Sequence, residues 1–103
     1  MKLKMRINPI VLKDIEDAKE YIKEENNYAI SKFSKRITDS IDSLSEFPEL
    51  GIELAKRIAV KTNYRYLIVD EYIIFYKFDE NNLFVYRILN AKRDYMKILF
   101  EWS

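Results

Sequence analysis

An α+β fold is predicted for this 103-residue chain: a helical hairpin on one face of a mainly antiparallel four-stranded sheet, with a short C-terminal helix. Three observations predict it. Two blocks between residues 9 and 46 repeat their apolar positions at helical spacing. Three strand-like runs follow between residues 64 and 89, separated by short polar turns. A brief period-two segment opens the chain, with Leu3, Met5 and Ile7 alternating against Lys4 and Arg6.

Each element has a local cause. Residues 3–7 form a strand with one wet face. Asn8-Pro9 supplies a capping residue and a proline at the first helical position. Val11, Ile15, Ala18 and Ile22 then mark the stripe of a helix over about 9–25. The intervening Asp14, Glu16 and Asp17 read as its solvated face. Residues 24–27 interrupt it. A second helix over 27–46 carries Ala29, Ile30, Phe33, Ile37, Ile41 and Leu44 on one stripe, and the short connector makes the pair an antiparallel hairpin. Phe47-Pro48-Glu49-Leu50-Gly51 ends that helix. Residues 52–63 are the least regular stretch and hold Lys56, Arg57 and Lys61. Strands follow near 64–69, 72–78 and 83–89, and the tail from 92 is a short helix or strand.

Turn lengths set a register. A two-residue turn at Asp70-Glu71 pairs Val69 with Tyr72, Leu67 with Ile74 and Arg65 with Tyr76. A four-residue turn at 79–82 pairs Phe78 with Leu83, Tyr76 with Val85 and Ile74 with Arg87. One face then carries Arg65, Leu67, Tyr72, Ile74, Tyr76, Val85, Arg87 and Leu89. The other carries Tyr64, Tyr66, Ile68, Ile73, Phe75, Lys77, Phe84, Tyr86 and Ile88. Being richer in aromatics, the second face is expected to meet the helical hairpin. A slip of one residue at either turn would undo this sorting.

Composition bounds the chemistry. The length is that of one domain, spanning residues 1–103. The chain has no cysteine, so disulfides, thiolate nucleophiles and zinc–thiolate sites are excluded. It has no histidine, which removes the usual general base and the commonest metal ligand. No metal or cofactor is expected. No apolar run has transmembrane length and no signal peptide is recognisable, so a cytoplasmic protein without membrane contact is expected. Net charge is only +1, so any basic surface must arise by local clustering. A charge inside a strand is costly unless it meets water or a partner, which singles out Arg65 and Arg87. Taken alone, each is as readily a strand arginine paired within the fold, and Lys92-Arg93 reads as an ordinary solvated helix start.

In its order of strand, helical hairpin, basic loop, meander and Lys92-Arg93-Asp94-Tyr95 tail, the chain resembles the RelE/ParE superfamily of bacterial toxins from type II toxin–antitoxin systems, also called plasmid stabilisation proteins. The residues that carry the resemblance are Phe47 to Gly51, Tyr64-Arg65, Asp70 to Tyr76 and Arg87 to Tyr95. It implies a growth-inhibiting toxin neutralised by a cognate antitoxin, with operator DNA reached only through that antitoxin. Two mechanisms divide the superfamily. RelE-like members cut mRNA on the ribosome; ParE-like members poison DNA gyrase. Ile73 stands where the nucleases tend to carry arginine, and Leu99 and Phe100 fall near their terminal tyrosine, which places this chain closer to the ParE-like branch. A nuclease here would have to use Arg65, Arg87, Arg93 and Tyr95, with no evident base to take the 2′-OH proton. As a surface for target or phosphate, the expected residues are Lys56, Arg57, Lys61, Arg65, Tyr72, Tyr76, Arg87, Lys92 and Arg93. A third reading is an inactive relative that only binds antitoxin as a co-repressor.

Overall fold

The computed structural model describes residues 2–24 and 26–100. Strand β1 (Lys4–Ile7) leads through Asn8 into helix α1 (Ile10–Ile22), and helix α2 (Asn27–Glu46) returns beside it. A single 3-10 turn (Pro48–Leu50) precedes a two-residue strand β2 (Ile52–Glu53). Strands β3 (Arg65–Val69), β4 (Tyr72–Phe78) and β5 (Asn82–Asn90) form the meander, and helix α3 (Tyr95–Phe100) closes the described chain. The sheet order is β1-β5-β4-β3-β2. β1 runs parallel to β5 and every other neighbour is antiparallel. The sheet therefore has five strands rather than the four expected, β2 being too short to leave a periodic signature.

The capping expected at Asn8-Pro9 is shifted by one residue: Pro9 itself is the cap of α1, with no side-chain capping bond, and the side-chain cap lies instead at α2. Asn26 accepts the Ala29 N–H at 2.7 Å and starts α2. The Asp70-Glu71 turn requires one residue with positive φ, and Asp70 supplies it at 57°. The Asp70 carboxylate also meets Arg36 Nε at 2.6 Å, tying α2 to the β3–β4 turn.

The β3–β4 register is the expected one, with Arg65 opposite Tyr76 and Val69 opposite Tyr72. The β4–β5 register starts as expected, then breaks. Tyr76 pairs with Val85, but Phe75 pairs with Arg87, leaving Tyr86 as an extra residue in a bulge. Ile74 thus faces Ile88 instead of Arg87. Beyond the bulge the sorting inverts: Ile88 joins the face of Tyr72, Ile74 and Tyr76, and Leu89 joins that of Ile73 and Phe75.

The hairpin packs on the face opposite to the one expected. Val11, Ala18, Phe33, Ile37 and Leu44 bury against Val69, Tyr72, Ile74, Tyr76, Leu83, Val85 and Ile88. The tyrosine-rich face is instead covered in part by residues 54–58 and α3, through Leu54, Ile73, Phe75, Leu89 and Leu99. The physical reason is polarity. Tyr64, Tyr66, Tyr86 and Lys77 carry polar tips that suit partial exposure, while the hairpin side presents mostly aliphatic side chains. β2 flanks only Arg65 and Tyr66, so among the described residues no strand lies beside the outer edge of β3 from Leu67 onward, and Ile68 there is 61% exposed.

A buried node holds the exit of α2. The Gly51 N–H donates to the Tyr76 hydroxyl oxygen at 2.9 Å, and that hydroxyl donates to the Pro48 carbonyl at 2.7 Å. Arg65 Nη1 donates to the Gly51 carbonyl at 2.9 Å. A Cβ at position 51 would collide with the Tyr76 hydroxyl and lie 2.7 Å from the Tyr66 carbonyl oxygen, so only glycine fits. Burial pushes the Tyr76 phenol above the ordinary tyrosine value, with the Gly51 N–H and Arg65 pulling the other way.

The folded state therefore holds this proton more tightly than the unfolded chain does. That stabilisation is complete below about pH 10 and is lost as pH rises through the higher folded value. Tyr76→Phe leaves Gly51 N–H and the Pro48 carbonyl unpaired, and is expected to lower stability by about 1–3 kcal/mol at neutral pH. The same variant should show a shallower alkaline loss in urea melts, with Tyr64, also raised by burial, supplying the remainder.

Candidate functional site

The sequence-selected residues separate into three places. The first lies between α1 and the C-terminal end of β5. Asp14, expected on the wet face of its helix, is only 5% exposed and points into the sheet. Its carboxylate accepts Arg87 Nε at 2.9 Å, Arg87 Nη2 at 2.8 Å and the Ile88 N–H at 3.0 Å. The Arg87 side chain is 14% exposed and that of Asp14 is 2% exposed. Hydrogen bonding to Asp14 raises the Arg87 pKa above its already high ordinary value, so the guanidinium stays charged. Arg87 is thus a structural cation and not an open one. This matches Arg87 as a strand arginine paired within the fold and corrects its expected place on a surface for target or phosphate.

A cleft of about 340 Å³ adjoins this pair, with Tyr21, Tyr72, Asn90, Lys92 and Arg93 in its wall. The turn after β5 positions the two cations. The Asn90 side chain accepts the Lys92 N–H at 2.9 Å, and its carbonyl accepts the Arg93 N–H at 3.0 Å. Lys92 and Arg93 are both exposed, and Tyr21 opposite them is 57% exposed. Tyr72 contributes only a buried wall, its ring 5.0 Å from that of Phe33.

Arg65 and Tyr76 occupy the second place, the Gly51 node. Tyr76 is fully buried, and Arg65 is held by the Gly51 carbonyl with its guanidinium 5.6 Å from the Phe78 ring centroid. The same hydroxyl and guanidinium that read as functional groups in the sequence anchor the α2 exit.

The third place is the tyrosine-rich face. Arg57 and Tyr95 share a cleft with Leu54, Tyr66 and Phe75. The Tyr95 ring stands 5.4 Å from Phe75, so this tyrosine packs α3 onto the sheet. Lys56 is exposed and pairs with Glu53 at 2.8 Å, while Lys61 is exposed in the loop before β3. Leu99 is 4% exposed within the same cluster, so an apolar core residue fills the region of the nucleases' terminal tyrosine.

Asp14 is the residue that sequence reasoning missed, although a signal existed. It lies three residues after Val11 and four before Ala18, on the stripe that both define. A carboxylate on an apolar stripe asks for a partner, and Arg87, the charge inside a strand, is that partner.

A family profile described as ParE toxin of type II toxin-antitoxin system, parDE, matches residues 5–95, so the chain belongs to that family. A solved structure titled "Chromosomal ParDE TA system from P. aeruginosa" shares the fold at a TM-score of 0.69 with 10% identity, covering 88% of this chain and 98% of that one. No curated protein sequence matches. The ParE-ward lean of Ile73 and Leu99 agrees with this assignment. Among the described residues, no helix is long and apolar enough to cross a membrane.

Removing one partner of a buried ion pair strands the other. Asp14→Ala is therefore expected to cost about 3–5 kcal/mol in urea denaturation, because Arg87 and the Ile88 N–H lose their acceptor. The apolar double replacement Asp14→Leu with Arg87→Met is expected to recover most of that loss.

Proposed function

We propose that this toxin arrests growth by binding a macromolecular target, with DNA gyrase the target that the ParE-like branch implies, and that a cognate antitoxin neutralises it in the cytoplasm. The observation that carries this reading is the internal commitment of three of the four groups an RNA-cleaving site would need here, Arg93 alone of them being exposed. Arg87 is bound by Asp14, Arg65 by the Gly51 carbonyl, and Tyr95 lies against Phe75. Cleavage by 2′-OH attack needs a base, an acid and charge stabilisation converging on one phosphate. The three places described above do not converge.

Lys92 and Arg93 remain as exposed cations on the rim of a largely apolar cleft. An interface is strongest where an apolar anchor is buried beside a charge that selects it. Lys92, Arg93 and Tyr21 are therefore assigned to the contact with target or antitoxin, and the antitoxin is the protein's link to operator DNA.

Induction from a tight promoter tests the mechanism. The expected result is an SOS response with intact mRNA; rapid loss of mRNA with cuts inside codons would overturn it. The double variant Lys92→Ala, Arg93→Ala is expected to lower toxicity at least tenfold with an unchanged Tm, as surface substitutions rarely shift stability by more than about 0.5 kcal/mol. Arg87→Ala is expected to lose toxicity together with thermal stability.

A further inference from the structure

The half of the tyrosine-rich face that α3 leaves uncovered has a chemistry of its own. It runs across four strands from β1 to β3. Arg6 pairs with Phe84, and Phe84 pairs with Lys77. Tyr64, the residue before β3, brings its ring beside Lys77 and closes the row. At about 4.8 Å per strand step the row spans roughly 14 Å. Tyr64 and Tyr86 stack with ring centroids 4.9 Å apart and planes 23° apart. Lys77 Nζ lies 5.5 Å from the Tyr64 ring centroid and 5.9 Å from that of Phe84. Together with Asn8 these side chains line an open depression of about 360 Å³.

We infer that this surface binds single-stranded nucleic acid, its rings stacking on bases and its cations tracking the phosphates. Charge complementarity supports that occupant. Lys4, Arg6 and Lys77 project from this side of the sheet, and no described strand residue on it is a carboxylate. The β4–β5 turn holds two acids: Asp79 turns its carboxylate onto the N–H groups of Asn81 and Asn82 at 2.9 and 2.8 Å, and Glu80 is exposed in the turn rather than on a strand. The rings favour bases over an acidic peptide, because each offers a flat π-face that accepts any base. They are half-buried and already ordered against one another, so binding does not have to freeze them. A duplex keeps its bases stacked inside and presents no such faces. The surface lies apart from the Lys92–Arg93 cleft, and the inference goes beyond toxicity: loss of oligonucleotide binding with growth arrest intact would leave the toxin reading standing.

Fluorescence anisotropy on the whole protein tests it, with labelled oligo-dT and oligo-U of about 12 nucleotides and a duplex of similar length. Single strands are expected to bind at least tenfold more tightly than duplex, and the tighter of dT and U names the polymer. Arg6→Ala and Lys77→Ala should each reduce the slope of log K against log salt by about 0.7, one phosphate contact apiece. Phe84→Leu, which keeps apolar volume, should weaken binding about tenfold with an unchanged circular dichroism spectrum. Lys77→Glu, an exposed charge reversal that does not threaten the core, should abolish binding. Absence of saturable binding would overturn the proposal. So would equal affinity for duplex, indifference to Arg6→Ala and Lys77→Glu, or competition by polyglutamate as effective as by the oligonucleotide.

Discussion

One carboxylate holds two layers of this protein in register. Asp14 reaches from α1 to Arg87 and to the Ile88 backbone, at the point where β5 carries one residue too many for its partner strand. A bulge left to itself can migrate or anneal out, and either change would swap every later side chain of β5 between faces. By accepting a main-chain N–H just beyond the irregularity, Asp14 pins its position. By accepting two guanidinium nitrogens as well, it balances its own buried charge. Ile88 then enters the core under the hairpin and Leu89 the one under α3. The division of the molecule into two apolar clusters rests on that clasp.

Much of the fold was legible because its signals are local. The 3.6-residue stripe of α2 and the two-residue turn at Asp70-Glu71 each fix geometry within a few residues. The β3–β4 pairing followed from turn length alone. The bulge was not legible, since nothing in residues 82–90 marks an extra residue; its cause lies some seventy positions away in α1. The choice of sheet face failed for a related reason. Counting aromatics ranked the tyrosine side as the better core, yet tyrosine hydroxyls and Lys77 make that side the one that tolerates water.

The candidate site divides along the same line. Residue type pointed to arginines and tyrosines on strands, and the structure places several of them in internal roles: Arg87 on Asp14, Arg65 on Gly51, Tyr76 on Pro48 and Gly51. What distinguishes these from Lys92, Arg93, Arg6 and Lys77 is the presence of a burial partner, which a sequence does not display. Asp14 was the one partner within reach of pattern reasoning, through its place between Val11 and Ala18. Family membership, by contrast, was visible from the order and spacing of segments that include Pro48, Gly51, Arg65 and Tyr76, which the structure joins in a single hydrogen-bonded node.

The bare outer margin of β3 bears on how such a chain survives in a cell. Beyond Tyr66 no strand among the described residues pairs with its main-chain groups, Ile68 beside them is exposed, and it lacks the lysine and arginine that blunt β1 at the opposite margin. Naked strand margins of this kind template edge-to-edge association between copies. A free copy of this chain therefore has association through that margin as a route open to it.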